Sequence, residues 1–300
     1  MRTLCFGEAI VDLICERPVS SLAEADAFVA HPGGVSANVA VAAARAGADV
    51  TLAGSAGDDP WGAWLHDLLA GARVGLDWFR LAGDRATAIA FVTLDEHGEA
   101  TYHLHGGVVP GPPAGTKKRL LDAVGATDAL CFGSNALVGR AEAAMAMAAR
   151  ERALELEHPI VFDANIRLGR WDGNRGRAGA ASGACVPGAF LVKCNVLEAQ
   201  LMTGEPQPEA AAASLLAAGA QHVIVTAGTR GAILRGKGLR RDVGARAAKV
   251  LSTVGAGDVF TGVVLAALGK TDFYAPAIAA VLPEAAEQAA RACERWGALE

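Results

Sequence analysis

The stretch LSTVGAGDVFTGVVLAAL, residues 251–268, changes character at its aspartate. The small-residue turn Gly255-Ala256-Gly257 comes before Asp258, and apolar residues recur after it at the spacing of a helix. A helix N-terminus attracts anions because its first N–H groups are unpaired and carry partial positive charge. Glycines before the helix let a ligand approach those groups closely. The pattern indicates an anion hole beside a carboxylate, and plain helix capping by aspartate is the alternative interpretation.

This arrangement suits phosphoryl transfer. The backbone of residues 255–257 would stabilise charge on a moving phosphoryl group, and Asp258 would accept a proton from the attacking hydroxyl.

The sequence does not match two other phosphate-binding motifs. Residues 231–238 have P-loop spacing, but Gly238 stands where Ser or Thr is needed, and the run from Gly255 lacks the last glycine of a dinucleotide fingerprint. A P-loop ATPase and a nicotinamide enzyme are both unsupported.

Composition limits the remaining classes of protein. The 300 residues are 52% hydrophobic and 20% charged, which predicts a globular protein with a sizeable core. A net charge of -5 argues against nucleic acid and anionic membranes as partners. The start of the chain lacks a signal-peptide layout, and no uncharged run approaches the ~20 apolar residues of a membrane span. With 6 scattered cysteines and no C-x-x-C pair, we expect a cytoplasmic protein.

Short apolar runs alternate with longer alanine-rich helical segments along the chain. Strands that are apolar throughout are buried on both faces, so the alternation predicts an α/β sandwich around a mostly parallel sheet. The predicted strands are 3–6, 50–54, 129–133, 160–163, 189–194 and 222–226. The predicted helices are 36–46, 61–70, 140–156, 196–202, 209–218, 258–268 and 283–295.

One region breaks this alternation. Residues 87–105 are half-polar on both sides of the turn 95–98, which predicts a β-hairpin. Together with a strand at about 11–17, the hairpin predicts a small extra sheet placed as a lid outside the main one.

Further polar residues stand where α/β proteins bind ligands. Asp12 follows the first strand region, and residues 33–38 open a helix with a glycine pair. Asn195 and Glu198 lie three apart at the start of another helix, a spacing that suits a hydrated magnesium ion. Residues 226–231 end a strand in a glycine turn that suits a nucleotide. Taken singly, each pattern also fits an ordinary turn or cap.

In their order, these motifs resemble the PfkB carbohydrate kinases, the ribokinase-like sugar kinases, over essentially the whole chain. Residues 33–62 resemble the first family signature and 251–268 the second, usually D-T-x-G-A-G-D. Between them, VKCNVLEAQLMTG is similar to the N-x-x-E region, and VIVTAGTRGA to the nucleotide-binding strand and turn. GEAIVDLI and DANIRLGRW look most like fructokinases.

The resemblance implies a ribokinase-like three-layer sandwich, with residues 1–300 forming a single domain that carries a β lid. It implies phosphorylation of a sugar hydroxyl, with fructose as the favoured acceptor, by ATP with Mg2+. Asp258 would be the base and Gly255, Ala256 and Gly257 the anion hole. The implied sugar contacts are Asp12, Gly33, Gly34, Asn38, Tyr102 and Arg167. For Arg167, a surface ion pair is the alternative interpretation. The implied nucleotide contacts are Lys193, Asn195, Thr226, Gly228, Gly231 and Gly257, with Asn195 and Glu198 holding Mg2+ through water.

The chain also departs from the family pattern. Ser252 replaces the first aspartate of the second signature, which in related kinases helps to hold a monovalent cation, and the sequence stops at Glu300. We therefore do not expect K+ activation. Kinases for 2-keto-3-deoxygluconate, ribose or a nucleoside, and a non-catalytic sugar-binding regulator, remain alternatives. A homodimer formed through the lid is also left open.

Overall fold

The strands of the protein divide between two sheets. A computed structural model describes residues 1–105, 116–246 and 248–299. Its strands are β1 Thr3–Phe6, β2 Ile10–Pro18, β3 Val29–Gly33, β4 Val50–Gly57, β5 Phe79–Ala82, β6 Ile89–Leu94, β7 Ala100–His105, β8 Ala129–Gly133, β9 Ile160–Asp163, β10 Leu191–Asn195, β11 His222–Thr226, β12 Ala232–Gly236 and β13 Leu239–Val243. Its α-helices are α1 Val35–Arg45, α2 Pro60–Gly71, α3 Thr116–Gly125, α4 Arg140–Glu155, α5 Arg175–Gly183, α6 Val196–Thr203, α7 Pro208–Ala217, α8 Ala256–Lys270 and α9 Pro276–Ala292.

The larger sheet has nine strands in the order β13-β12-β11-β10-β9-β8-β1-β4-β5. Seven neighbouring strands pair in parallel, in the order β11-β10-β9-β8-β1-β4-β5, and β12 and β13 add an antiparallel edge. Every residue of β1, β8 and β9 is buried. Strands buried on both faces need helices on both faces, which explains their uniformly apolar sequences.

Two hydrophobic clusters cover the two faces of this sheet. One contains residues of α1, α2, α8 and α9, and the other contains residues of α3 to α7. Side chains alternate across a strand, so Cys5 of β1 joins the first cluster while Leu4 and Phe6 join the second. The three-layer α/β sandwich expected from the sequence is confirmed.

The smaller sheet has four strands in the order β3-β2-β6-β7, and we call it the lid sheet. Strand β2 pairs antiparallel with β3 and parallel with β6, and β6 pairs antiparallel with β7 as the predicted hairpin. Val11, Ile14 and Val92 are fully buried in the cluster that also contains α1 and α8. This packing joins one face of the lid sheet to the helix layer that contains α1 and α8.

Some predicted elements need correction. The predicted helix 283–295 actually begins at Pro276, and Pro283 lies inside it. Proline is common in the first turn of a helix, but its presence does not prove that a helix begins there. Asp12 lies within β2 of the lid sheet and not at the end of a strand of the main sheet. The strands β3, β5, β12 and β13 and the helices α3 and α5 were not predicted. Across the helices described here, none combines the length and apolar character needed to cross a membrane.

Candidate active site

A polar cavity lies between the lid sheet and the first turn of α8. Six residues singled out in the sequence line it, and they come from five separate parts of the chain: Asp12, Gly34, Asn38, Tyr102, Arg167 and Asp258. Three further polar residues, Glu8, Asn135 and Arg170, and the apolar Ile10 and Val35 complete its lining. The fold thus gathers most of the predicted sugar contacts around the predicted base.

Asp258 is held by two side-chain amides. Its Oδ2 accepts the Nδ2 of Asn38 at 2.9 Å, and its Oδ1 accepts the Nδ2 of Asn165 at 2.8 Å. Capping does not explain this aspartate, since the N-cap of α8 is Gly255 at a φ of 71°. The carboxylate lines the cavity in a fixed orientation.

Burial changes the acidity of two carboxyl groups in the cavity. It raises the pKa of Asp258 to about 6, with a further increase from the Asp163 carboxylate, while Arg167 opposes the shift. Burial also raises the pKa of Asp12 to about 7; Arg167 opposes that shift, and the charge of Asp258 adds to it. At pH values above about 6, Asp258 is therefore mainly ionised and able to accept a proton.

Three buried oxygen atoms around this cavity have no hydrogen-bond partner among the described residues. They are Asp12 Oδ1, Asn38 Oδ1 and Asn135 Oδ1. Because an unpaired buried polar atom is costly, such atoms normally meet a ligand or water. All three are acceptors when Asp12 is ionised, so the cavity suits a ligand with several hydroxyl donors.

Besides Arg170 of the cavity lining, the sequence reasoning missed three site residues that bond one another or the base. Glu8 Oε1 accepts the Nδ2 of Asn135 at 2.9 Å, and Asn165 bonds Asp258. All three residues follow the carboxyl ends of β1, β8 and β9. Ligands of open α/β sheets bind at these ends, so polar residues just after the predicted strands were the available signal.

The glycine pair before α1 leaves room for the neighbouring carboxylate. A Cβ at Gly33 would lie 2.3 to 2.7 Å from the carboxyl atoms of Asp12. Gly34 has a φ of 96°, and a Cβ there would lie 2.5 Å from the carbonyl oxygen of Glu8. Gly34 requires glycine because of its backbone conformation and the Glu8 backbone, whereas a side chain at position 33 would displace the Asp12 carboxyl group.

Arg167 joins the lid sheet to the turn after β9. Its guanidinium carbon lies 4.9 Å from the centroid of the Tyr102 ring, a cation–π arrangement. The side chain therefore borders the cavity, in contrast to the surface ion pair that was the alternative interpretation.

A buried cation lies beneath the glycine turn. Lys193 Nζ is 3.2 Å from Asp163 Oδ1, and both residues are almost completely buried. Burial alone would lower the pKa of Lys193, but the carboxylates of Asp163, Glu198 and Asp258 together outweigh burial and the net shift is upward. A Cβ at Gly257 would lie 2.9 Å from Nζ, so the predicted nucleotide contact Lys193 carries its charge next to the predicted anion hole.

Asn195 and Glu198 form a capping box at the start of α6. Asn195 Oδ1 accepts the Glu198 amide at 2.9 Å, and Glu198 Oε2 accepts the Asn195 amide at 2.8 Å. Glu198 Oε1 also accepts the Ile166 amide at 3.0 Å. Each oxygen retains a second lone pair, so the pair fits a water molecule of a hydrated metal ion. In the described ranges, no group of three or more His, Cys, Asp and Glu side chains could hold a metal directly.

The predicted nucleotide turn follows β11. Thr226 pairs with Asn195 across β10 and β11, so both lie at the same edge of the sheet. Gly228 and Gly231 have φ values of 56° and 89°, and a Cβ at Gly231 would lie 1.9 Å from the Val243 carbonyl oxygen. The following residues form the β12–β13 hairpin, unlike the strand and helix that flank a P-loop.

Comparison with known proteins gives the class of this enzyme, a sugar kinase. The family model for "pfkB family carbohydrate kinase" matches residues 2–292. The chain therefore belongs to the pfkB family, as its motifs predicted. It is 30% identical over 261 residues to fructokinase-2 of Solanum habrochaites, covering 87% of this chain and 79% of the relative.

Solved structures agree with this assignment. A double mutant of the Vibrio cholerae O395 fructokinase, with fructose, ADP and a potassium ion bound, is 26% identical; the match covers 99% of this chain and 94% of that one, at a TM-score of 0.84. The Salmonella enterica aminoimidazole riboside kinase, complexed with its riboside and an ATP analogue, is 25% identical, with 100% and 95% coverage and a TM-score of 0.80. These neighbours support ATP as the phosphoryl donor.

Proposed function

We propose that the protein transfers the γ-phosphoryl group of ATP to a hydroxyl of a neutral sugar, with fructose as the preferred acceptor. One observation carries the proposal: three unpaired buried oxygens surround the cavity that Asp258 lines. A sugar offers several hydroxyl donors to such acceptors while placing one hydroxyl beside the base.

The proposed mechanism assigns a task to each group. Asp12, Asn38 and Asn135 bind the sugar hydroxyls, and Arg167 donates to a sugar oxygen. Asp258 takes the proton from the attacking hydroxyl. The amides of residues 255–257 and the Lys193 ammonium stabilise charge on the transferring group. Thr226, Gly228 and Gly231 border the nucleotide, and a Mg2+ held through water by Asn195 and Glu198 would neutralise phosphate charge.

The cavity argues against two of the rival acceptors, the acid sugar and the nucleoside. An acid sugar would bring its carboxylate next to Glu8, Asp12 and Asp258, which outnumber the two arginines of the lining. A nucleoside base would need an aromatic face for stacking, and Arg167 already covers the ring of Tyr102. A neutral sugar meets neither obstacle.

The cation requirement and the assembly are part of the proposal. Ser252 is fully buried, and its hydroxyl accepts the Val254 amide at 3.1 Å. A neutral and already bonded oxygen is a weaker cation ligand than a carboxylate, so we infer that K+ is not required.

We further infer one kinase domain, a cytoplasmic location and a homodimer that pairs through the lid sheet.

The decisive experiment is a coupled ADP-release assay with fructose, ribose, 2-keto-3-deoxygluconate, a nucleoside and no acceptor. We expect ADP to be released faster with fructose than with any other acceptor. The rate should be the same in potassium chloride and in tetramethylammonium chloride. Faster release with another acceptor would reject fructose. Calorimetric binding of a sugar without any ADP release would instead support a non-catalytic regulator.

The rate should also depend on pH. Because the pKa of Asp258 is raised to about 6 and that of Asp12 to about 7, protonation removes the base Asp258 and the negative charge of the sugar contact Asp12 as the pH falls through this range. We expect kcat/KM to fall at least about tenfold per pH unit below pH 6. A pH profile at constant ionic strength measures this. A flat profile down to pH 5 would contradict the role of Asp258.

A further inference from the structure

The tip of the β6–β7 hairpin contacts the segment that precedes the anion hole. Asp95 closes the tip, since its Oδ1 accepts the amides of His97 and Glu99 at 2.8 and 2.9 Å. The residues of this turn are exposed except for Gly98, which is buried. A buried glycine in an exposed turn indicates that another part of the protein packs against it.

The packing partner is the segment 250–253. The carbonyl oxygen of Gly98 accepts the Thr253 amide at 2.8 Å and the Thr253 hydroxyl at 3.2 Å. Gly98 has a φ of 76°, and a Cβ there would lie 2.8 Å from Val250 Cγ1 and 3.0 Å from the Leu251 carbonyl oxygen. No side chain fits at this position without displacing the hairpin or the segment.

Thr253 passes this contact on to α8. Its carbonyl oxygen accepts the Ala256 amide at 3.4 Å, a long bond that a phosphoryl oxygen can share, and that amide is part of the predicted anion hole. The segment is also held from the other side, because the Leu251 amide donates to the Cys293 carbonyl at 2.8 Å. A single residue therefore bonds the lid sheet through its N–H group and the anion hole through its C=O group.

We infer that Gly98 and Thr253 are positioning residues that tie the orientation of the Ala256 amide to the seating of the lid sheet over the acceptor. This inference rests on the proposed function. Its consequence is that phosphoryl transfer depends on the contact, whereas nucleotide binding does not. Neither residue touches the reacting atoms.

The test compares two glycine substitutions. Gly98→Ala forces a Cβ into the Val250 and Leu251 contact. Gly238→Ala is the matched control, since Gly238 also lies in a hairpin turn at a φ of 69° but a Cβ there meets nothing within 4 Å. Both variants carry similar backbone strain, and the contact distinguishes them. We expect Gly98→Ala to lower kcat by up to about 10²-fold at unchanged ADP affinity, and Gly238→Ala to keep the wild-type kcat.

A second pair of variants keeps the test valid if Gly98→Ala does not fold. Thr253→Val removes the hydroxyl bond to Gly98 but keeps the backbone amide, so kcat should fall about 2- to 10-fold. Thr253→Ser keeps the hydroxyl and should retain more activity than Thr253→Val.

The outcomes separate this inference from the proposed function. Wild-type protein that phosphorylates no acceptor would reject the function itself. If the wild type is active, a normal kcat in Gly98→Ala rejects the inference, and so does equal loss in Thr253→Val and Thr253→Ser. A rise in the sugar KM alone also rejects it, because that result describes a lid that binds sugar without affecting transfer.

Discussion

Asp258→Asn should lower kcat by about 10²- to 10⁴-fold, the usual cost of losing a general base. The new side-chain amide cannot accept the proton of the attacking hydroxyl. The fold should tolerate the change, because Asn38 has an unpaired Oδ1 that can turn to accept the added N–H group. Steady-state kinetics measure kcat, thermal unfolding measures stability, and calorimetry measures the affinity for ADP. We expect a large change in kcat alone.

A matched control isolates the chemistry from helix electrostatics. Glu142 is the third residue of α4, as Asp258 is the third of α8, so Glu142→Gln removes an equivalent charge from a first turn outside the cavity. This control should keep its wild-type kcat. Near-normal turnover in Asp258→Asn would contradict the proposed role of Asp258 as the general base.

Gly33→Ala should produce the second large loss, in kcat/KM for the sugar. Its Cβ would lie within 2.7 Å of the Asp12 carboxyl atoms and push that group out of place. Displacements of about 1 Å at a binding group cost about 10²-fold in rate, so a loss of this order is expected. The KM for ATP should remain the same, because Asp12 belongs to the sugar side of the site.

Gly71→Ala is the control for this substitution, since a Cβ at Gly71 meets nothing within 4 Å. It should leave both kinetic constants and the unfolding temperature close to wild type. If Gly33→Ala binds sugar as tightly as the wild type does, Asp12 does not contact the acceptor and its assignment is wrong.

The sequence was most informative where local pattern determines structure. Fully apolar runs predicted the central strands, and the glycine turn before Asp258 correctly predicted the start of α8 to within two residues. Local pattern failed for β12, whose burial alternates along the strand, and for β13, which is largely exposed at the edge of the sheet. It also failed for α5, whose sequence RGRAGAASG has three glycines and little apolar periodicity.

The site was harder to predict than the fold because its key contacts join distant parts of the chain. Motifs pointed to Asn38 and Asp258 separately, but no pattern shows that their side chains bond each other. Glu8 lies in the loop after β1 and Asn135 in a short 3-10 helix after β8, and only the parallel strands bring them to one edge of the sheet. Only the folded topology places these residues in one cavity.

The two amides that hold the Asp258 carboxylate have a consequence for how this protein loses activity. They come from residues 220 and 93 positions away along the chain. A fragment or a partly opened conformer that lacks either partner leaves the carboxylate free to rotate. On heating, turnover should therefore vanish together with tertiary structure, with no catalytically active intermediate surviving, and enzymatic rate becomes a direct reporter of the intact population.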